Sequence, residues 1–439
     1  MLGNSAARGR LGLFVGTGFS IAATNGAALT FEGLLQSIAE NLALDTDFSS
    51  ANLRLKSLPQ IASALILELS HQKGISINDT GVKFRSEIAR ICNLIPDESA
   101  KPEFEQGLNS SGPSWVVTTN YDLILESLID RSEAVLPTEA LFPNMKRVPI
   151  YHLHGHRHYQ ESIKVTEEDY VGLLAPWDYQ RLKLPLLFAE STTLMLGYAL
   201  GDINVRAAME WAKTFQSEAR LPGTPNLHGK VVLALYHATP SLEPRIGERG
   251  EIILETSSVA ALLNEIGEWR HDVETVTKMW EDETREFLAD GNNAQAIEKE
   301  GPEREELLKL IRSSGSMGAT GAVIQFLQIA IEPIWRKARE EDGFDYYDTY
   351  LEILVALIRG LKITDASPVI MYFIADSLNN VGFYFNERFP IATAHQATRR
   401  WLREAPTLDI ELLNELASFS AAHDMAGLNN LLKCSTLRT

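Results

Sequence analysis

Apolar and polar positions along the chain follow two regimes that meet near residue 270. In the first, apolar runs of strand length end on glycine or polar residues. LGLFV at 11–15 runs into GTGFS, SWVVTTN spans 114–120, Val148 to Ile150 lead into YHLHGHRH, TTLMLGYALGD spans 192–202, and KVVLALY and EIILE follow. Runs this short, closed by turn residues, predict buried strands. Between them, FEGLLQSIAENL, SLPQIASALILELSHQ, YDLILESLIDR, WDYQRLKLPLLFAES and DINVRAAMEWAKTF repeat apolar residues every three or four positions. That period predicts helices with one buried stripe. Strands alternating with helices predict an α/β fold, a Rossmann-like, mostly parallel sheet with helices on both faces and ligand loops at the carboxyl ends of the strands. The helical stretch of about 31–110 reads as an insertion able to form a small lid over those loops.

Past residue 270 the strand signal disappears. A charged helical stretch, WEDETREFLADGNNAQAIEKEGPEREELLKLIR, is followed by the strongly apolar runs IQFLQIAIEPIWRKARE, YDTYLEILVALIRGL and PVIMYFIADSLNNVGFYF. These predict an all-α domain, with breaks at 291–293, 313–321 and 340–343. A chain of 439 residues exceeds what one core usually serves, so residues 1–270 and 271–439 are expected to fold around separate cores. Aromatic residues of the second part, Trp280, Trp335, Tyr346, Tyr347, Tyr372, Phe383, Tyr384 and Phe385, read first as core, with surplus apolar surface available for packing against another chain.

Charge changes the picture by exclusion. A formal net charge of −18 argues against a broad nucleic-acid footprint, because phosphate contacts are made largely by clustered Lys and Arg. The two cysteines, Cys92 and Cys434, cannot supply a four-thiolate zinc site and point to a reducing compartment. No signal-peptide pattern opens the sequence, and no run of roughly 20 apolar residues follows, so a cytoplasmic protein without a membrane span is expected.

Candidate chemistry sits where strands end. Gly16 and Gly18 let the backbone approach a pyrophosphate, although the turn also has an ordinary structural reading and GxGxxG fails at Ile21. Ser20 suits either a helix cap or a phosphate contact. Asn120 and Asp122 in TTNYD stand between a strand and a helix, where they could cap the helix or face a ligand.

Taken in order, GTGFS, TTNYD, HLHG and GYALGD resemble the motif series of sirtuin-like NAD-consuming domains. The resemblance covers about the first 270 residues. It implies that Gly16, Thr17, Gly18 and Ser20 belong to the loop that cradles the dinucleotide, that Asn120 and Asp122 form the asparagine motif beside the nicotinamide ribose, and that His154, followed by Gly155, is the base. Gly197 and Asp202 fall in the later nucleotide-binding segment. Thr17 replaces the usual small residue between the loop glycines, and ALTFEGLL stands where protein-deacylating sirtuins carry Pro-Asp-Phe-Arg. Their zinc ribbon is missing too. These departures point to the bacterial phage-defence branch, which cleaves NAD with water, and the helical tail resembles defence proteins that assemble into rings or pair with a hexameric HerA-type ATPase.

The implied reaction is NAD+ glycohydrolysis to nicotinamide and ADP-ribose, with NAD as substrate and no metal. Histidine ordinarily titrates near neutrality, so His154 could take a proton from water or a ribose hydroxyl, with Asn120 orienting it. The expected partners are NAD+, further copies of the chain and a HerA-type ATPase. A non-catalytic NAD or ADP-ribose sensor, and a deacylase or ADP-ribosyltransferase, are the rival readings.

The histidines at 152, 154, 156 and 158 test the metal reading. HxH can chelate zinc, but a catalytic site wants a third ligand, and the sequence offers only scattered candidates such as His228 and His237. His152 is expected on the face of His154, with His156 and His158 beyond Gly155 in a loop, solvated or merely packed.

Overall fold

The structure is a computed structural model that describes residues 1–44, 57–137, 139, 147–172, 179–198, 203–218, 231–241, 243–289, 297–298, 301–317, 331–339, 344–361, 368–383 and 394–436. Its contacts divide the chain into two compact units, Met1–Glu218 with His228–Asp272, and Ala219–Leu227 with Val273–Thr439.

The first unit is built on eight strands: β1 (Leu11–Val15), β2 (Trp115–Thr118), β3 (Ser132–Val135), β4 (Val148–His152), β5 (Thr192–Leu196), β6 (Val231–Tyr236), β7 (Arg245–Ile246) and β8 (Ile252–Thr256). They form one sheet in the order β3-β4-β2-β1-β5-β6-β8-β7, parallel throughout except for the β7–β8 pair. The six central apolar runs read from sequence all appear as strands. β3 and β7 carry no comparable signal, because they are the two edges. Glu133 and Ala134 are exposed on β3, and both residues of β7 are exposed, so neither needs an apolar run.

Successive side chains of a strand point to opposite faces, and the sequence uses both. Leu13, Val15, Val116, Leu194 and Leu196 enter one core with Phe104, Leu108, Ile124, Leu125, Leu263 and Ile266. Phe14, Trp115, Val117, Tyr151 and Met195 enter the other with Leu184, Phe188, Val205 and Met209. The central strands therefore read as unbroken apolar runs rather than as alternating ones.

Helices Phe31–Asn41, Leu58–Lys73 and Ile77–Ile91 form the body of the insertion and share a third core. Thr30 caps the first, and a Ser57/Gln60 capping box with Pro59 opens the second. Their core also takes in Tyr121, Ile163 and Val165. Helix Lys101–Ser111 packs instead in the sheet's core, through Phe104 and Leu108.

The second unit is helical among the described residues, with helices Pro302–Met317, Glu332–Ala338, Phe344–Arg359, Pro368–Phe383, Ala394–Glu404, Ile410–Ala422 and Ala426–Thr436. Of the aromatic residues read as core, Trp280 and Tyr347 are buried and Trp335 and Tyr346 pack half-buried against that core, whereas Tyr372 is 52% exposed and Tyr384 and Phe385 lie outside the described residues. The expected break at 313–321 differs: the helix runs on through Ser313 to Met317, so glycine at 315 is tolerated inside it. The expected breaks at 291–293 and 340–343 lie outside the described residues.

Candidate active site

Four loops at the carboxyl ends of β1, β2, β4 and β5 converge on one cavity of about 650 Å³. That is within the usual range for small-molecule sites, roughly 300–1,000 Å³. Its floor holds Thr17 and Gly18 after β1, Thr119 to Asp122 after β2, His154 after β4, and Gly197 and Tyr198 after β5. The chain leaves β1 for β2 on one side and later returns to β5 on the other, so the cavity lies where an open sheet of this kind binds ligands.

The glycines allow two loops to touch. Gly16 N–H donates to the Leu196 carbonyl and Gly18 N–H to the Gly197 carbonyl, both at 2.9 Å. Gly197 adopts φ +58°, and a Cβ there would stand 2.1 Å from the Phe19 nitrogen. Gly16 thus sits behind the floor, while Thr17, Gly18 and Gly197 border the cavity. Asp202 lies outside the described residues.

Asn120 is buried and its amide is fixed by the helix Thr17–Ala23 that follows β1. Nδ2 donates to Ser20 Oγ at 2.8 Å, and Oδ1 accepts from the Thr17 hydroxyl at 3.4 Å. Ser20 in turn donates to Asp122 Oδ2 at 2.8 Å. Asp122 Oδ1 accepts from the Ile124 N–H at 3.2 Å, so this carboxyl holds the turn that leads into the helix Ile124–Leu128 and also lines the cavity. Below them, Thr118 Oγ1 donates to the Val15 carbonyl and accepts from Asn120 N–H, tying the loop to the sheet. Burial raises the Asp122 carboxyl above its ordinary range, against the lowering effect of the Ser20 and Ile124 bonds. Burial also pushes the Cys92 thiol, on the cavity wall, up to about 12, so it is an inert wall residue rather than a thiolate.

His154 is buried on the same cavity, reached by the turn after β4. Gly155 has φ +94°, and a Cβ there would come 2.3 Å from the Ser162 carbonyl oxygen, which explains glycine after the histidine. Nδ1 of His154 lies 3.3 Å from the Tyr170 hydroxyl. Tyr170 belongs to helix Glu167–Gly172, whose start is held by Asp169 accepting from the Val165 and Thr166 amides.

That helix is pinned to the insertion. Arg85 binds Asp169 at 2.9 Å and the Ile163 carbonyl at 2.9 Å, Ser63 donates to Glu168 and Gln60 to Glu167. The insertion closes the cavity with an apolar wall that includes Leu29, Phe31, Leu34, Leu58 and Ile91.

The other histidines separate. His152 is absent from the cavity lining: its Nδ1 lies 3.2 Å from the Asn120 carbonyl and its Nε2 2.6 Å from Glu126 Oε1. His156 is packed edge-on against it and His158 is exposed. Burial, then the neighbouring His152, lowers His156 to about 4. Sequence reasoning gave no role to Tyr170 or Glu126, whose partners lie far along the chain.

Residues 114–243 match the family model of the SIR2-like domain. That segment is therefore similar to sirtuin-like domains, a family that generally acts on NAD. The match runs from β2 past β6, and so includes Asn120, Asp122, His154, Gly197 and Asp202 but not the glycine loop after β1. No curated protein matches the chain.

Proposed function

We propose that this protein is an NAD+ glycohydrolase. The observation that carries the reading is that Asn120 and His154, which follow separate strands and both fall within the SIR2-like match, line one cavity. In the proposed reaction the bond between the nicotinamide nitrogen and ribose C1 breaks, and its electron pair neutralises the departing ring. Water adds its oxygen to C1 and gives up a proton to His154, leaving ADP-ribose. Little acid assistance is needed, because the leaving group starts as a cation. The protein's tasks are to hold the substrate, stabilise an oxocarbenium-like ribose and place the water.

The lining suits these tasks. It includes the Asp122 carboxyl and no lysine or arginine among the described residues, an electrostatic setting that favours positive charge on ring and ribose. Asn120, with its amide already oriented by Ser20 and Thr17, is the positioning group for water and ribose hydroxyls. For Tyr170 to leave Nε2 of His154 able to accept a proton, its oxygen must accept from Nδ1–H.

NAD loss in an infected bacterium would halt phage replication, and we assign the protein that defence role in the cytoplasm. Unrestrained turnover would kill the host, so assembly into a homo-oligomer or with a HerA-type ATPase is the proposed control. Among the described residues no helix is long and apolar enough to cross a membrane.

The test is product analysis with the full-length protein, alone and mixed with a HerA-type ATPase. Nicotinamide and ADP-ribose in equal amounts support the reading. Binding of NAD+ without nicotinamide release would establish the sensor reading instead, and labelled ADP-ribose on protein would establish a transferase.

A further inference from the structure

Glu126, His152 and His156 form a second group of donors that takes no part in lining the cavity. One ligand atom from each lies within 4.8 Å of the other two. They come from three pieces of chain: the short helix Ile124–Leu128, the last residue of β4, and the loop that Gly155 turns back beneath it. His152 and His156 are buried, with ring centroids 4.7 Å apart. Glu126 Oε2 is a buried oxygen with no hydrogen-bond partner among the described residues.

We propose that Glu126, His152 and His156 bind one divalent transition-metal ion of the zinc class, at a site separate from the NAD cavity. Two imidazole nitrogens and a carboxylate oxygen are a donor set that zinc accepts, with a fourth position left for water. The absence of an all-oxygen shell argues against magnesium or calcium. A third ligand was what the HxH pattern lacked in sequence; Glu126 supplies it, and the pair involved is 152 with 156 rather than 152 with 154. The Asn120 carbonyl at Nδ1 of His152 is the kind of outer bond that fixes a ligating histidine's tautomer, leaving Nε2 for the ion.

Entry of an ion is a defined exchange. His152 Nε2 and Glu126 Oε1 contact each other at 2.6 Å, and the ion takes the place of that contact. Bonds of about 2.1 Å in a tetrahedron place ligand atoms about 3.4 Å apart, so the Glu126 carboxylate must swing outward by under about 1 Å. Glu126 is part-exposed on a five-residue helix, where that movement is available. His156 must also exchange or reorient away from its 3.2 Å contact with the His158 N–H. Once bound, the ion ties helix Ile124–Leu128 and the Asn120 peptide to β4.

The test uses full-length, tag-free protein stripped with chelator, dialysed against Zn2+ and analysed for metal. One zinc per chain is expected, with a melting temperature raised by several degrees and a visible absorption band when Co2+ is used instead. His156→Ala and Glu126→Gln should each weaken binding at least tenfold, whereas His158→Ala should keep it. Glu126→Gln preserves shape and a hydrogen bond to His152, so it decides the matter if His156→Ala does not fold. Wild-type protein that retains no zinc, or variants that retain it in full, would overturn the proposal. Because metal content is the readout, that failure leaves the NAD reading untouched.

Discussion

The Tyr170 hydroxyl stands 3.3 Å from Nδ1 of His154, and Tyr170 is carried by a helix that the insertion holds in place through Arg85 and Asp169. The imidazole is therefore oriented from outside its own strand. Losing one such bond is worth about 1 kcal/mol, or roughly five-fold in rate. Tyr170→Phe should lower kcat for NAD+ cleavage by about that factor with KM nearly unchanged, as steady-state kinetics will read.

Ser20 joins Asn120 to Asp122, and all three are buried. Replacing it by alanine strands the Asn120 amide donor and one carboxylate oxygen. Ser20→Ala should cost on the order of 1–3 kcal/mol of stability, and turnover should fall roughly ten-fold or more as the asparagine loses its fixed orientation. Denaturant unfolding and kinetics on one preparation check both.

Asp122 has its carboxyl raised by burial, so the folded state takes up its proton at a higher pH than the unfolded chain does. For a raised group, the favourable contribution is full below the unfolded value, near 4, and is lost as pH rises through the folded value. Asp122→Asn removes that loss and keeps an acceptor for the Ile124 N–H. Its melting temperature should exceed the wild type's by a few degrees at neutral pH, with the gap shrinking as the pH falls toward the carboxylate range. Turnover should fall, because the cavity loses its negative charge.

Asp169 shows the opposite sign. Burial works to raise it, but the Val165 and Thr166 amides and Arg85 together bring it below its ordinary value. Its contribution is present above the unfolded value and is lost as pH falls through the folded one. Wild-type stability should drop on acidification below about pH 4 by an amount that Asp169→Asn lacks, while the variant is less stable at neutral pH. Thermal melts from pH 3 to 7 for both proteins measure this.

Much of the frame was legible because buried parallel strands read as apolar runs and end in glycine or polar loops. LGLFV, WVVT and TTLML declare themselves, and so does the shared end at which their loops lie. The edges were not legible, since SEAV and the Arg245–Ile246 pair bury little and obey no apolar pattern. At the site, Asn120, Asp122 and His154 were visible as motif residues after strands. Tyr170, Glu126 and the true neighbours of His152 depend on contacts between distant segments, which local period and spacing do not encode. Gly16 and Gly197 were visible as glycines, yet part of their reason is loop-on-loop approach, which required the register of β1 against β5.

His154 is the proposed base for cleaving the dinucleotide in the cavity it shares with Asn120. The direct measurement is nicotinamide release from NAD+ by wild type and His154→Ala under activating conditions, with NAD+ binding by each followed calorimetrically. The variant is expected still to bind NAD+ and to lose at least about a hundred-fold in turnover. A variant that turns over at the wild-type rate would contradict it.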